Sequence, residues 1–309
     1  KKLLQEPNMK KTILFFLLSV SIISIIFASE DKSNLPAERF AIYVGCNDGG
    51  KERENLLYAG SDAQRFQKTM ADIGGISSQN SMLLINPNSD DIEDALTSFS
   101  ELIESRKEFT KRTEFIFYYS GHSDENALLL GSTNYDYSEL KAKITSVPSD
   151  VHVVILDSCF SGNFIRTKGG KRQRAFLTDD STVVQGHAYL SSSSSESSQE
   201  SDEIQSSFFT NAMLTGLRGA ADTSNDNKVS LNELYAYAFN DTLTKTQNTN
   251  AGPQHPGYNI TLVGSGDLIL TDISQAESIV IIPKEYEGKF LFRNSKGVLV
   301  SEINKIKGS

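Results

Sequence analysis

The sequence predicts an α/β fold in which a mostly parallel central sheet is covered by helices on both faces. Strand-like and helix-like segments alternate between residues 39 and 156, an order that is typical of parallel sheets. The strand-like segments are apolar throughout, as expected for strands that are buried on both sides. A chain of 309 residues with 38% hydrophobic composition can form one large domain or two smaller ones.

Four strands and three helices account for this alternation. The predicted strands are the apolar segments at residues 39–45, 81–85, 114–119 and 151–156. The predicted helices carry apolar residues at helical spacing: Ala63, Phe66, Met70 and Ile73; then Ile92, Leu96, Phe99 and Ile103; then a short helix from Ser138 to Ile144. Gly74 and Gly75 end the first helix, and Ser89 is the expected N-cap of the second.

The second half of the chain continues the pattern with longer interruptions. Residues 165–174 predict a basic, exposed loop, and residues 186–190 a fifth strand. The serine-rich run at 191–207 is polar and of low complexity, which predicts a mobile surface loop. Helices are predicted at residues 208–219 and from Leu231 to about Thr246. From residue 272 to 309, short strand-like pieces indicate a small β-rich segment.

The N-terminal region is typical of an export signal. After Met9 comes a short basic stretch, and residues 13–27 are apolar apart from serines. Fifteen residues are short for a membrane-spanning helix but suit a signal peptide. The cleavage site is poor because both candidate sites, Ile26-Phe27-Ala28 and Phe27-Ala28-Ser29, have a bulky residue where a small one is preferred. We therefore expect residues 9–29 to be a signal peptide or an uncleaved anchor of an exported protein (periplasm, cell envelope or secreted), with membrane contact only through this segment.

Charge and cysteine content narrow the functional classes. The net charge of −9 and the pI near 5.1 argue against nucleic-acid binding, because phosphate contacts need a basic surface. The two cysteines, Cys46 and Cys159, allow one disulfide at most. Cys46 is interpreted as a small buried hydrophobic residue.

Cys159 and His122 follow the ends of two predicted strands. In parallel sheets, ligands bind outside the carboxyl ends of the strands. If the two strands are neighbours, the two side chains meet at this edge. A histidine can take the proton of a thiol, which makes the sulfur a nucleophile. It can later give this proton to a leaving amine. A lone histidine is more often structural, but here each residue lies in a turn of small residues after an apolar strand.

The two motifs carry a family resemblance. FIFYYSGHS (115–123) followed by VVILDSCFSG (153–162) resembles the caspase-like cysteine peptidases, specifically their metacaspase-type bacterial branch. The resemblance extends to VGCND, LLYAGSDAQRF and SSFFTNAMLTGLRG, and thus over roughly residues 39–270. It implies a three-layer α/β/α fold, a peptidase domain at residues 36–271, and a cysteine endopeptidase in which Cys159 is the nucleophile and His122 the general base and acid.

The resemblance also implies roles for the residues around this pair. The backbone N–H groups of Ser123 and Cys159 would form the oxyanion hole, although the family has glycine where Ser123 stands. The substrate pocket of the metacaspase branch is acidic, and the matching positions are Asp62, Ser120 and Asp157. Carboxylates in a pocket favour Arg or Lys, so we expect protein or peptide substrates that are cleaved after basic residues. Asp62 is equally explained as a carboxylate near a helix N-terminus.

Two further expectations concern loops. A peptidase with this preference could cut itself in the basic loop at residues 166–174, although such a charge run is usually only a solvated loop. Residues 222–233 follow the ligand spacing of a calcium-binding EF-hand. The expected Ca²⁺ ligands are Asp222, Ser224, Asp226, the carbonyl of Lys228, and Glu233, with Ser230 at position nine. A polar turn with a capping aspartate is the simpler alternative, and no organic cofactor is expected.

Two other functions remain compatible with the sequence. The chain could be a catalytically weak or inactive binding or scaffold protein of the same fold in the cell envelope. It could also be a cysteine-dependent hydrolase or transferase that acts on non-peptide acyl groups. We expect the chain to be a monomer.

Overall fold

The structure is a computed structural model that describes residues 35–305 except 52, 160, 166–184, 194–197, 265, 277–279, 296 and 298. The predicted signal or anchor segment and the basic loop at residues 166–174 lie outside the described residues.

An eight-stranded sheet forms the centre of the molecule. Its strands are β1 (Ala37–Cys46), β2 (Ser81–Ile85), β3 (Arg112–Ser123), β4 (Ala127–Leu130), β5 (Thr133–Asp136), β6 (Val151–Asp157), β7 (Gln185–Ser191) and β11 (Gly257–Val263). The main path of the sheet runs β11-β7-β6-β3-β1-β2, and β4 and β5 extend from the end of β3. Strands β2, β1, β3, β6 and β7 run parallel to one another, whereas β11 is antiparallel to β7 and β4 is antiparallel to β3. The mostly parallel sheet is therefore confirmed.

Helices cover both faces of this sheet. They are α1 (Ala59–Ile73), α2 (Ser89–Arg106), α3 (Tyr137–Ser146), the short α4 (Gly162–Ile165), α5 (Phe208–Thr215) and α6 (Leu231–Thr246). One hydrophobic cluster joins α1, α5 and α6 to one sheet face and contains Phe66, Phe209 and Leu234. A second cluster joins α2, α3 and α4 to the other face and contains Phe99, Leu140 and Phe164. The predicted α/β/α layering is confirmed.

The apolar strands are buried because both faces are covered. In β3, every residue from Thr113 to Gly121 is buried, and all seven residues of β6 are buried. Full burial of a Val, Leu, Ile or Phe side chain contributes about 1.5–3 kcal/mol to folding. The core therefore holds β3 and β6 side by side, and their carboxyl ends share one edge.

The capping of α2 differs from the prediction. Ser89 is the first residue of the helix, and Asn88 is its N-cap. The Asn88 side chain accepts a hydrogen bond from the Asp91 N–H, and the Asp91 carboxylate accepts one from the Asn88 N–H. This reciprocal capping box satisfies two amides, which Ser89 could not do from its position.

The serine-rich run is more ordered than predicted. Its described residues form the end of β7 and a small antiparallel hairpin of β8 (Glu200–Ser201) and β9 (Ser206–Ser207). Ser206 and Ser207 are buried. The expectation of a mobile surface loop is wrong for these residues, because their polar groups are bonded inside the fold.

The remaining elements follow the helices of the second half. The α-helical part of the predicted helix at 208–219 ends at Thr215, and a π-helical turn covers Gly216–Ala220. Strands β10 (Lys228–Ser230) and β12 (Ile269–Asp272) pair antiparallel. Strands β13 (Gly288–Arg293) and β14 (Leu299–Lys305) form a C-terminal hairpin that contacts α5. In the described part of the chain, no helix combines the length and apolar character needed to cross a bilayer.

Candidate active site

His122 is the penultimate residue of β3, not part of a turn after the strand as predicted, and Cys159 lies in the turn after the neighbouring strand β6. In the parallel register of β3 and β6, Ser120 is paired with Asp157. His122 and Cys159 each come two residues after this pair. The Ser123 hydroxyl donates a hydrogen bond to the Cys159 carbonyl, which joins the two strand ends directly. The structure therefore brings the predicted pair to one edge of the sheet, where ligands bind in such folds.

The hydrogen bond of the His122 ring fixes its tautomer. Nε2 lies 2.8 Å from the carbonyl oxygen of Glu54, in the segment between β1 and α1. A carbonyl oxygen can only accept, so Nε2 carries the proton and donates it. Nδ1 of the neutral ring is then the basic nitrogen, and it is the nitrogen available to a thiol.

The surroundings of His122 lower its pKa below the ordinary 6.5. Burial is the largest cause, because it disfavours the charged imidazolium. The Arg53 charge lowers the pKa further, whereas the Glu54 carbonyl and the Asp48 carboxylate raise it. The imidazole is therefore neutral near pH 7 and ready to accept a proton.

Gly49 leaves the space that the imidazole occupies. A Cβ atom at this position would lie 2.4 Å from Cδ2 and 2.5 Å from Cγ of His122. Atoms cannot approach so closely without displacement of the ring. The ring is thus held at its edge by the Glu54 carbonyl and over its side by the Gly49 backbone.

Cys159 is partly exposed, while the residues on either side of its turn are buried. Ser158 and Ser161 are fully buried, and the Ser161 hydroxyl donates to the Ser158 carbonyl at 2.8 Å. This turn leaves the thiol accessible to a substrate. Cys46 differs, because it is buried and burial raises its pKa to about 11. The two cysteines are free rather than joined in a disulfide.

Ser123 has ordinary backbone geometry where the related pattern has glycine. It lies within β3 and is not among the described residues with positive φ. The Asp124 N–H donates to the Ala127 carbonyl in the pairing with β4. Because bonded pairs alternate along an antiparallel ladder, the Ser123 N–H stays outside this ladder. Serine therefore keeps the backbone N–H that the related pattern has at this position.

Asp62 is fully buried on the first turn of α1. Its carboxylate accepts hydrogen bonds from the Ser206 hydroxyl at 2.7 Å and the Ser207 N–H at 3.0 Å, and it forms an ion pair with Arg65. Burial raises its pKa to about 7, although these three partners each lower it. Asp157 raises it further through its negative charge.

Asp157 ends β6 and is also buried. Its carboxylate accepts hydrogen bonds from the hydroxyls of Ser198 at 2.7 Å, Thr210 at 2.6 Å and Ser207. Ser120 lies beside it on β3 and is buried. The structure thus brings Asp62, Ser120 and Asp157 together below the edge that carries Cys159.

A cavity of about 560 Å³ opens beside His122. It is lined by the segment from Arg53 to Tyr58 and by Glu200 and Asp202 of the hairpin. Three carboxylates and one guanidinium give this lining a net negative charge. The lining of this cavity is therefore acidic, as is the site formed by Asp62 and Asp157.

The carboxylates of Asp222 and Glu233 in the predicted calcium loop accept hydrogen bonds from other groups of the same loop. Asp222 accepts from the N–H groups of Asp226 and Asn227, and from the Ser224 hydroxyl. The carboxylate of Glu233 accepts from Thr223, Ser224 and Ser230. Burial alone would raise the pKa of Glu233, but these hydrogen bonds lower it to about 2.

The ligand set of this loop is not assembled. Among the residues that the structure describes, no three His, Cys, Asp or Glu side chains are grouped so that they could hold a metal ion. Asp226 accepts from the backbone of Lys228. Asn225 and Asn227 have positive φ, 59° and 64°, as a tight loop requires. Calcium binding stays a prediction.

Several groups at the site were not predicted from the sequence. The Glu54 carbonyl is a backbone group, which has no sequence signature. Glu200 and the serines that hold the two aspartates lie in the low-complexity run. One signal was available: Ser207 and Thr210 have the spacing of an N-cap and its partner, and Ser207 does cap α5.

Comparisons with known proteins found a matching family model and similar solved structures. The model of one family, described as the caspase domain, matches residues 38–264. No curated protein matches the chain. Among solved structures, caspase-1 from Spodoptera frugiperda is similar with a TM-score of 0.56 and 13% sequence identity, and the match covers 80% of this chain and 94% of that chain. At this identity the structural likeness shows the fold alone.

Proposed function

The chain belongs to the caspase-domain family and is a cysteine-type peptidase, and from this premise we propose that it is an endopeptidase that cleaves after arginine or lysine. One observation carries the proposal: two buried carboxylates, Asp62 and Asp157, lie below the strand ends that hold His122 and Cys159. An acidic pocket attracts a cationic side chain and repels aspartate. This specificity would place the chain with the metacaspase-type branch.

In the proposed reaction, His122 Nδ1 takes the proton of the Cys159 thiol as the sulfur attacks the scissile carbonyl carbon. The N–H groups of Ser123 and Cys159 donate to the oxyanion of the tetrahedral intermediate. When this intermediate collapses, the C–N bond breaks and the leaving amine takes the proton from His122. Water, deprotonated by the same imidazole, then hydrolyses the thioester and frees the thiol.

The acidic pocket would bind the side chain that precedes the cleaved bond. Asp157 is held by three hydroxyl donors, which fix its position without neutralising its charge. Asp62 is partly neutralised by Arg65. Asp157 is therefore the main partner for the substrate cation, and Asp62 and Ser120 support it.

A peptide library tests this proposal. Fluorogenic peptides that differ only in the residue before the cleaved bond are offered to the wild-type chain and to Cys159→Ala. Turnover of Arg- and Lys-ended peptides that is lost in Cys159→Ala supports the proposal. Binding without turnover would instead favour a scaffold protein, and turnover of simple esters alone would favour a non-peptide acyl hydrolase.

We also propose that the chain processes itself within residues 166–174. The proposal rests on the basic composition of this loop and on the proposed specificity. Cys159→Ala protein should stay intact alone and be cut there when wild-type protein is added. Cutting of Cys159→Ala protein on its own would overturn self-processing.

We further propose that residues 222–233 bind Ca²⁺ weakly. The ligand spacing and the positive φ angles of Asn225 and Asn227 support this. Binding requires Glu233 to leave the hydrogen bonds that now hold it. This competition favours affinities of about 10⁻⁴–10⁻³ M, the range of extracellular modules.

A further inference from the structure

Glu200 is bound to the segment that holds His122. This residue begins β8, and its side chain is partly buried. Its carboxylate accepts hydrogen bonds from the N–H groups of Leu57 at 3.0 Å and Tyr58 at 3.2 Å. Both amides lie just before α1, within four residues of the Glu54 carbonyl that binds the imidazole.

The two hydrogen bonds of Glu200 cap the start of α1. Tyr58 is the N-cap residue of this helix, and its side chain makes no capping hydrogen bond. Amide groups at a helix start need an acceptor, and a carboxylate there is also favoured by the helix dipole. Glu200 supplies that acceptor from another part of the chain.

The hairpin of β8 and β9 makes a further contact with the segment at residues 54–58. The Tyr58 hydroxyl donates to the Asp202 carboxylate at 2.7 Å. Residues 200–202 therefore contact the backbone and the side chain at one end of the segment, while Glu54 at the other end contacts His122. A displacement of this segment would move the carbonyl that orients the ring.

We propose that Glu200 is a positioning residue for catalysis, which holds His122 in place through the backbone of residues 54–58. Its carboxylate accepts from the backbone of Leu57 and Tyr58, so its effect is on the orientation of the base. The inference rests on the proposed role of His122 and Cys159, but not on the preference for Arg or Lys.

The test compares two variants of the full chain that remove the same charge from the same hairpin. Glu200→Gln keeps the size of the side chain, but its NH2 group cannot accept a hydrogen bond, so one backbone N–H loses its partner. Glu203→Gln is the matched control, because Glu203 is exposed. Steady-state kinetics give kcat and KM separately, and thermal unfolding checks that both variants fold.

A second readout does not depend on peptide specificity. The rate of Cys159 alkylation by iodoacetamide is measured against pH, with Cys159→Ala to subtract any reaction at Cys46. A thiol that is paired with an oriented imidazole reacts below the ordinary thiol pKa of about 8.5. Tyr58→Phe, which removes only the hydroxyl bonded to Asp202, provides a second perturbation of the segment should Glu200→Gln unfold.

We expect Glu200→Gln to lower kcat by about tenfold to a hundredfold with KM unchanged, because small displacements of a catalytic group cost this much. Its alkylation profile should move toward that of a free thiol, and Tyr58→Phe should shift both readouts in the same direction by less. Glu203→Gln should match the wild type. A Glu200→Gln chain that matches Glu203→Gln, or that raises KM alone, would overturn the inference. A wild-type chain without Arg preference, whose alkylation profile still changes in Glu200→Gln, would count against the proposed specificity alone.

Discussion

Asp62 and Asp157 come from different elements, yet both are bound by one residue. The Ser207 N–H donates to Asp62 at 3.0 Å, and the Ser207 hydroxyl donates to Asp157. Two buried carboxylates so placed repel each other, and this repulsion contributes to the raised pKa of Asp62. The pair therefore holds negative charge beside Cys159 at a cost in stability, as expected of a binding pocket rather than of a structural core.

The raised pKa of Asp62 predicts a pH-dependent KM. Its carboxyl group titrates near pH 7 rather than near 3.8, so the pocket gains negative charge as the pH rises. An arginine side chain stays charged throughout. We predict that KM for an Arg-ended peptide falls severalfold between about pH 6 and about pH 8, and that Asp62→Asn removes this fall. A KM that is equally pH-dependent in both proteins would refute the assignment.

Gly49 predicts a specific loss of rate. In Gly49→Ala the new methyl group meets the His122 ring at 2.4 Å and displaces it from the Glu54 carbonyl. We predict that kcat falls about tenfold to a hundredfold, as expected for a misplaced base.

Gly60→Ala is the control for Gly49→Ala. A Cβ atom at Gly60 meets ordinary contacts of 3.7 Å or more, and alanine is favoured over glycine in a helix by about 1 kcal/mol. This variant should keep its kcat and be no less stable. Equal kcat values for the wild type and Gly49→Ala would show that the ring does not need this space.

Removal of the Ser123 hydroxyl should lower both the stability of the fold and kcat. Ser123→Ala removes the hydroxyl that binds the Cys159 carbonyl but keeps the backbone N–H. We predict a stability loss of about 1 kcal/mol and a severalfold lower kcat, since the turn that carries the thiol is less firmly held. Ser100→Ala removes a hydroxyl–carbonyl bond within α2 and should leave kcat unchanged. Identical effects of the two variants on kcat would contradict this role.

The calcium loop predicts stabilisation by Ca²⁺. At a concentration a hundredfold above Kd, binding to the folded chain adds about 2.7 kcal/mol of stability. We predict that Ca²⁺ raises the unfolding temperature and that Asp222→Asn removes this increase, while Glu101→Gln, an exposed change on α2, preserves it. If Mg²⁺ at the same concentration gives the same increase, or Ca²⁺ gives none, residues 222–233 are only a polar turn.

The sequence was most informative where hydrophobic patterning dominates. The buried strands β1, β3 and β6 are continuous apolar runs, and the carboxyl end of β3 and the turn after β6 place His122 and Cys159 at one edge of the sheet. The hairpin of β4 and β5 was missed because each strand has only four residues. Strand β11 was missed because an edge strand that is exposed on alternate residues carries a weak apolar signal.

The parts of the site that were missed depend on tertiary contacts. The composition of residues 191–207 does not show that Ser207 binds two aspartates, although its spacing to Thr210 indicates an N-cap. The backbone of Glu54 acts through position alone, which the fold sets. The sequence therefore identified the reacting groups, while the groups that orient them required the structure.

The most direct test of the account is the ratio of kcat/KM for two peptides that end in arginine or in citrulline, its neutral isostere. We predict that the wild-type chain prefers arginine by about tenfold to a hundredfold, the value of a charge-assisted hydrogen bond. Asp157→Asn should remove most of this preference, and Cys159→Ala should cleave neither peptide. Equal turnover of the two peptides by the wild-type chain, or a preference for peptides that end in aspartate, would contradict the account.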